Sequence, residues 1–138
     1  RMGDPETEVV VPRLKTDLIQ LFRAVATGRL AETALASDDR YCTTVMLVAG
    51  GYPGNYEKGN VISGFEEIED SIVFHAGTKL ADGQVVTNGG RVMAVSSFGR
   101  KMTEALQRSY MNVAKINFKD MNYRRDIGKD LLELGAKH

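Results

Sequence analysis

The sequence predicts an α+β fold, helices packed with a small antiparallel sheet or barrel, because its apolar periodicity changes twice along the chain. Leu18, Leu21, Phe22 and Val25 keep a helical spacing, and that spacing returns from Lys101 onward. Between them, from Tyr41 to Val95, short apolar runs are separated by glycine, asparagine and aspartate, the punctuation of strands and turns. The 138 residues leave room for one ordinary domain plus a stub of another, with a core that needs no metal or disulfide staple. The 18 basic residues cancel the 18 acidic ones, so net charge offers no case for nucleic acid. No apolar run approaches the roughly 20 residues of a membrane-spanning helix. No signal-peptide pattern opens the chain, and a cytoplasmic protein is expected.

The elements follow in order. Asp4-Pro5-Glu6 reads as a helix start, with Asp4 as cap and proline in the first helical position. The Leu18 stripe belongs to an amphipathic helix capped by Thr16 or Asp17 and closed at Gly28, and such a helix needs something to lie against. Leu30 to Arg40 is polar and alanine-rich, a half-helix or linker, and the domain boundary falls there. Tyr41 to Ala49 is a buried strand in which the lone Cys42 is a small packing residue. Val61-Ile62, Ile72 to Phe74, Val85-Val86 and Val92 to Val95 complete a set of five strands. Met102, Ala105, Leu106, Tyr110, Val113 and Ile116 share one helical face that should pack over the sheet. Leu131, Leu132 and Leu134 suggest a short terminal helix ended by Gly135.

Four segments carry residues suited to chemistry. Asn88-Gly89-Gly90-Arg91 can present open backbone amides beside a guanidinium, the makings of a phosphate-binding turn, although Asn-Gly also marks a plain hairpin. In His75-Ala76-Gly77-Thr78 the imidazole can meet a phosphate or ribose hydroxyl, or serve as a structural histidine tied to a neighbouring loop. No second histidine or cysteine stands near it, so no metal site is expected. Gly50 to Gly59 is too glycine-dense for a regular element; its tyrosines and Lys58 can form a lid or stacking wall over a sugar or base, or merely connect strands. It lacks the order of a P-loop. At the start, Arg1, Asp4, Glu6 and Glu8 suit a metal-bound phosphate or an amine, and the acids equally suit a solvated helix start. Lys58 and Lys79 are read as turn residues, and Arg124-Arg125-Asp126 as a surface ion-pair cluster.

RMGDPETE, the Leu14-Lys15-x-Asp17-Leu18 helix start, GYPGNYEKG, FHAGT, VTNGGRV and YRRDIG together resemble, in order and at comparable separations, the carboxyl-terminal part of the phosphoribosylamine-glycine ligase family of ATP-grasp enzymes. The resemblance covers nearly the whole chain. It implies that residues 1–35 are the end of an ATP-grasp domain and that residues 36–138 are a carboxyl-terminal domain of barrel-sandwich-hybrid type. It also implies a parent that uses ATP with magnesium or manganese to join phosphoribosylamine to glycine through a glycyl phosphate, yielding glycinamide ribonucleotide for purine biosynthesis. In that family a Glu-x-Asn pair holding magnesium stands just before the first motif, so no metal ligand or cofactor is expected in these residues, and the isolated piece should be inactive without its amino-terminal domains.

Carried over by motif, Arg1 would stabilise the transferred phosphoryl charge, and Asp4 and Glu6 would flank the acceptor amine as catalytic residues. His75, Gly77, Thr78, Asn88, Gly89, Gly90 and Arg91 would form the substrate-binding walls for the phosphoribosyl group. Met2 stands where the family usually has phenylalanine. Two other readings compete: a biotinyl- or lipoyl-like carrier module with Lys79 as the modified lysine, and a non-catalytic domain that binds a sugar phosphate.

Overall fold

In the computed structural model, residues 2–131 are described. The helix read at Asp4 starts later: α1 spans Thr7–Arg13 and α2 Leu18–Ala26, followed by a 3-10 turn at Leu30–Glu32. Among the described residues five strands come next, β1 Tyr41–Val48, β2 Ser71–His75, β3 Thr78–Ala81, β4 Gln84–Thr87 and β5 Arg91–Gly99, and α3 Met102–Val113 follows them. The strands divide into two antiparallel sheets rather than one, three-stranded in the order β1-β5-β2 and two-stranded β3-β4.

The nine-residue β5 is the centre of the larger sheet because it is apolar on both faces, and every residue from Val92 to Ser97 is buried. One face carries Val45, Leu47, Met93 and Val95, which join Val113 and Ile116 from α3 and its end in a single core. Two buried serines need partners in this interior. Ser97 shares a 2.7 Å hydrogen bond with Ser71, and Ser96 donates to the Glu8 carbonyl at 2.7 Å, which ties α1 to the opposite face of the sheet. Gly99 turns so tightly that a Cβ there would stand 2.5 Å from the Ala105 nitrogen, and the Glu104 carboxylate accepts from the Arg100 and Lys101 amides at the start of α3.

Two strand assignments change. Val61-Ile62 makes an isolated bridge from Val61 to Val86 instead of a strand, while Lys79, read as a turn residue, lies in the strand Thr78–Ala81. Lys79 therefore pairs with Val86 within β3-β4, and the hairpin tip is Asp82-Gly83. Asn88-Gly89-Gly90 is likewise no hairpin: β4 and β5 lie in different sheets, and the three residues carry the chain from one to the other.

The α2 start follows its sequence, since the Asp17 carboxylate accepts from the Gln20 amide at 2.9 Å and Gly28 beyond the helix has φ 68°. The polar segment after it runs back along the end of α1, with Arg13 donating twice to the Asp38 carbonyl at 2.9 and 3.1 Å. Of the terminal helix, only Leu131 lies among the described residues. Among those residues no helix is long and apolar enough to cross a membrane.

Candidate functional site

The FHAGT and VTNGGRV motifs meet where β2 ends and β5 begins. The Gly77 carbonyl accepts from the Asn88 and Gly89 amides at 2.7 and 3.0 Å, and the Ala76 and Gly77 amides both donate to the Val92 carbonyl at 3.1 Å. Glycine is required by close approach: a Cβ on Gly77 would stand 2.4 Å from the Arg91 carbonyl oxygen and 2.7 Å from the Gly89 Cα. Of the Gly89 and Gly90 amides read as open donors, that of Gly89 is committed to the Gly77 carbonyl, as is the neighbouring Asn88 amide, and the guanidinium of Arg91 is the side-chain donor at this corner.

Arg91 reaches across 87 positions to the first motif. Its Nη1 donates to the Asp4 carbonyl at 3.0 Å and lies 3.5 Å from Asp4 Oδ1, with the two side chains 39% and 50% exposed. Asp4 lies two residues before Glu6, the N-cap position of α1, so it does not cap the helix; Arg91 takes its carbonyl and faces its carboxylate. Glu6, the residue before Thr7, instead accepts from the Gly3 amide at 2.9 Å. The carboxylate of Glu8 stands apart, its Oε2 buried and without a hydrogen-bond partner among the described residues. Arg1 lies outside the described residues.

His75 is exposed, and its Nδ1 shares a 2.9 Å hydrogen bond with Thr78 Oγ1, while Phe65 meets the ring edge-on at 5.7 Å. Arg91 bonds Asp4 and His75 bonds Thr78, so His75 and Thr78 form a second cluster flanking Gly77. The glycine-rich loop packs onto the corner through a contact that residue types alone did not reveal. A Cβ on Gly90 would stand 2.1 Å from Cδ2 of Tyr52, so Tyr52 rests against the backbone next to Arg91. The glycine pair in the motif is the signal that could have found it.

A groove of about 900 Å³ opens beside this corner, with Pro5, Glu6, Val9, Met46, Tyr52 and Tyr123 among its walls. Cys42 also lines it; burial pushes its thiol above the usual range, which keeps it a neutral packing group. Among the described residues no three His, Cys, Asp or Glu side chains converge as a metal site would require. The downstream motif lines the same groove through Tyr123, Arg124, Ile127 and Gly128, while Arg124 pairs with Asp126 at 2.9 Å and Arg125 lies over the Tyr123 ring.

Comparison with known proteins adds the family. The phosphoribosylglycinamide synthetase C domain matches residues 42–130. The phosphoribosylamine-glycine ligase of Escherichia coli O157:H7 is 47% identical over 136 residues, covering 96% of this chain and 32% of that protein. The ligase of Caldanaerobacter subterraneus subsp. tengcongensis is 41% identical over 127 residues, covering 92% and 30%. The crystal structure of phosphoribosylamine-glycine ligase from Thermotoga maritima superposes with a TM-score of 0.73 at 34% identity, over 91% of this chain and 31% of that one. The chain thus spans about a third of the length of the relatives it matches. With residues 42–130 matched, the chain belongs to the phosphoribosylglycinamide synthetase C-domain family.

Proposed function

We propose that this chain is the carboxyl-terminal portion of a cytoplasmic phosphoribosylamine-glycine ligase and supplies the wall against which the phosphoribosyl group binds. The observation that carries the reading is the Arg91 to Asp4 contact, which joins a cationic corner to the motif expected beside the acceptor amine. Arg91 is partly exposed and uses one nitrogen on Asp4, so its remaining N–H groups can donate to two oxygens of a phosphate. Gly77, Asn88, Gly89 and Gly90 hold that guanidinium in place, and His75 with Thr78 lines the approach. Asp4 and Glu6 orient the amine and take up its proton, and Arg1 stabilises phosphoryl charge.

ATP with magnesium or manganese would supply the phosphoryl group that activates glycine, and its holders belong to parts of the parent outside these residues. Residues 1–35 are the end of the ATP-grasp domain, with the exposed apolar face of α2 covered by its earlier portion; residues 36–138 are the barrel-sandwich-hybrid domain. The carrier alternative loses its premise, because Lys79 pairs within β3-β4 and does not stand at the Asp82-Gly83 tip.

Incubated with phosphoribosylamine, glycine and ATP, the isolated chain should form no glycinamide ribonucleotide while the whole protein forms it. Turnover by the chain alone refutes the division of labour. In the whole protein, Arg91→Ala should raise KM for phosphoribosylamine about 10- to 100-fold, the loss of a charge-assisted contact. An unchanged KM removes the phosphate role of Arg91. A non-catalytic sugar-phosphate domain would bind ribose 5-phosphate through Arg91 in a whole protein that makes no product.

A further inference from the structure

Tyr52 stands at the junction of the cationic corner and the groove. One edge of its ring is gripped: a Cβ on Gly90 would be 2.1 Å from Cδ2 and 2.7 Å from Cε2. The residue is nevertheless 37% exposed and lines the groove. The frame behind it is tight. Tyr52 N–H donates to the Ala49 carbonyl at 3.1 Å, and Ala49 N–H donates to the Gly90 carbonyl at 2.8 Å, so loop and corner share one hydrogen-bonded unit. Gly51, at φ 90°, lets the loop fold back until a Cβ there would meet the Asn55 carbonyl oxygen at 2.1 Å, and Tyr56 supports the Tyr52 ring at a centroid distance of 6.2 Å.

Along the groove wall that includes Tyr52 lie Pro5 and Glu6, immediately after the Asp4 that Arg91 contacts. An aromatic ring held against the backbone just before Arg91, in one groove wall with the Glu6 carboxylate, suits a ligand with an anionic end, a ring whose C–H face can lie on it, and an amine. Resting on the ligase reading above, we infer that Tyr52 is a positioning residue for the ribose ring, with the phosphate at Arg91 and the amine directed toward Glu6. A side chain held before the substrate arrives fixes the approach of the amine without taking part in bond making.

The test uses the whole protein and separate KM values for its three substrates. Tyr52→Leu should raise KM for phosphoribosylamine about 10-fold, the upper range of an aromatic contact, with KM for ATP and glycine within about twofold. Tyr52→Phe, which keeps the ring, should match the wild type. Gly90→Ala must displace the ring and should reproduce the Tyr52→Leu effect, while the double variant should be no worse than either single one. An unchanged phosphoribosylamine KM in Tyr52→Leu, equal rises in all three KM values, or additive effects in the double variant would overturn the inference. Should Tyr52→Leu melt below the assay temperature, Tyr52→Met takes its place in the same comparison. If the wild-type protein makes no product, the ligase reading falls by itself, and calorimetry with ribose 5-phosphate then decides Tyr52: a weaker Kd in Tyr52→Leu supports it and an unchanged one ends it.

Discussion

Strand β5 and helix α2 are both strongly patterned, yet β5 buries Val92, Met93, Ala94 and Val95 completely, while α2 leaves Ile19 69%, Phe22 63% and Val25 59% exposed. The difference lies in what each can reach. β5 has neighbours on both edges, α3 against one face and α1 against the other. α2 buries Leu21 and Ala24 and turns its other apolar residues outward. An amphipathic stripe is a local property of the chain, whereas its burial depends on a partner surface. Under the proposed reading, this open stripe is the face that the rest of the whole protein would cover.

The largest test of this contrast is Leu47→Ala in the β5 core. Leu47 has no exposed surface, and truncation should cost about 2–5 kcal/mol, read as a lower urea midpoint at constant slope. A loss below about 0.5 kcal/mol would show that the two regions are not packed so differently. Next in size is Gly77→Val, whose first added carbon would stand 2.4 Å from the Arg91 carbonyl oxygen; overpacking there should cost about 1–3 kcal/mol. In the whole protein that variant should also weaken phosphoribosylamine binding, and normal affinity would detach the Gly77 seam from the position of Arg91.

Phe22→Ser sharpens the comparison from the other side. At 63% exposure it should leave this chain within about 0.5 kcal/mol of its original stability. In the whole protein the same change should cost about 1–3 kcal/mol, because the ring is then covered. Equal effects in the two would mean that α2 has no partner. The smallest effect concerns pH. Hydrogen bonding from Arg40, with the charges of Arg40 and Lys15 adding to it, holds the Asp38 carboxyl well below the usual carboxylate range. Its folded-state pKa is thus lower than its unfolded one, so its contribution is complete well above the unfolded value near 4 and is lost progressively as pH falls from there to the lower folded value. Carbon-detected NMR titration should find Asp38 still ionised at pH 4; a midpoint at or above 4 would remove the ion pair.

Much of the frame was legible because it is written in adjacent residues. Asp17 and Gly28 delimit α2, Val92 to Val95 mark the buried strand, and the Met102 to Val113 period marks the covering helix. β3 escaped because Thr78-Lys79-Leu80-Ala81 faces water, with Leu80 73% exposed, and so lacks the alternation of a half-buried strand. The motifs pointed to a corner containing glycines and Arg91. Their wiring was hidden: the pairing of Gly77 with Asn88 and Gly89, and of Asp4 with Arg91, depends on sheet topology that local spacing does not encode.

That wiring makes the β3-β4 hairpin a side trip which returns to its point of departure. The chain leaves at Gly77 and comes back at Asn88 to bond the same carbonyl, so the main line toward Arg91 is already sealed behind it. Residues spliced in at Asp82-Gly83 would lengthen the detour without moving the guanidinium, which makes this tip a natural place to graft a tag or reporter onto the protein.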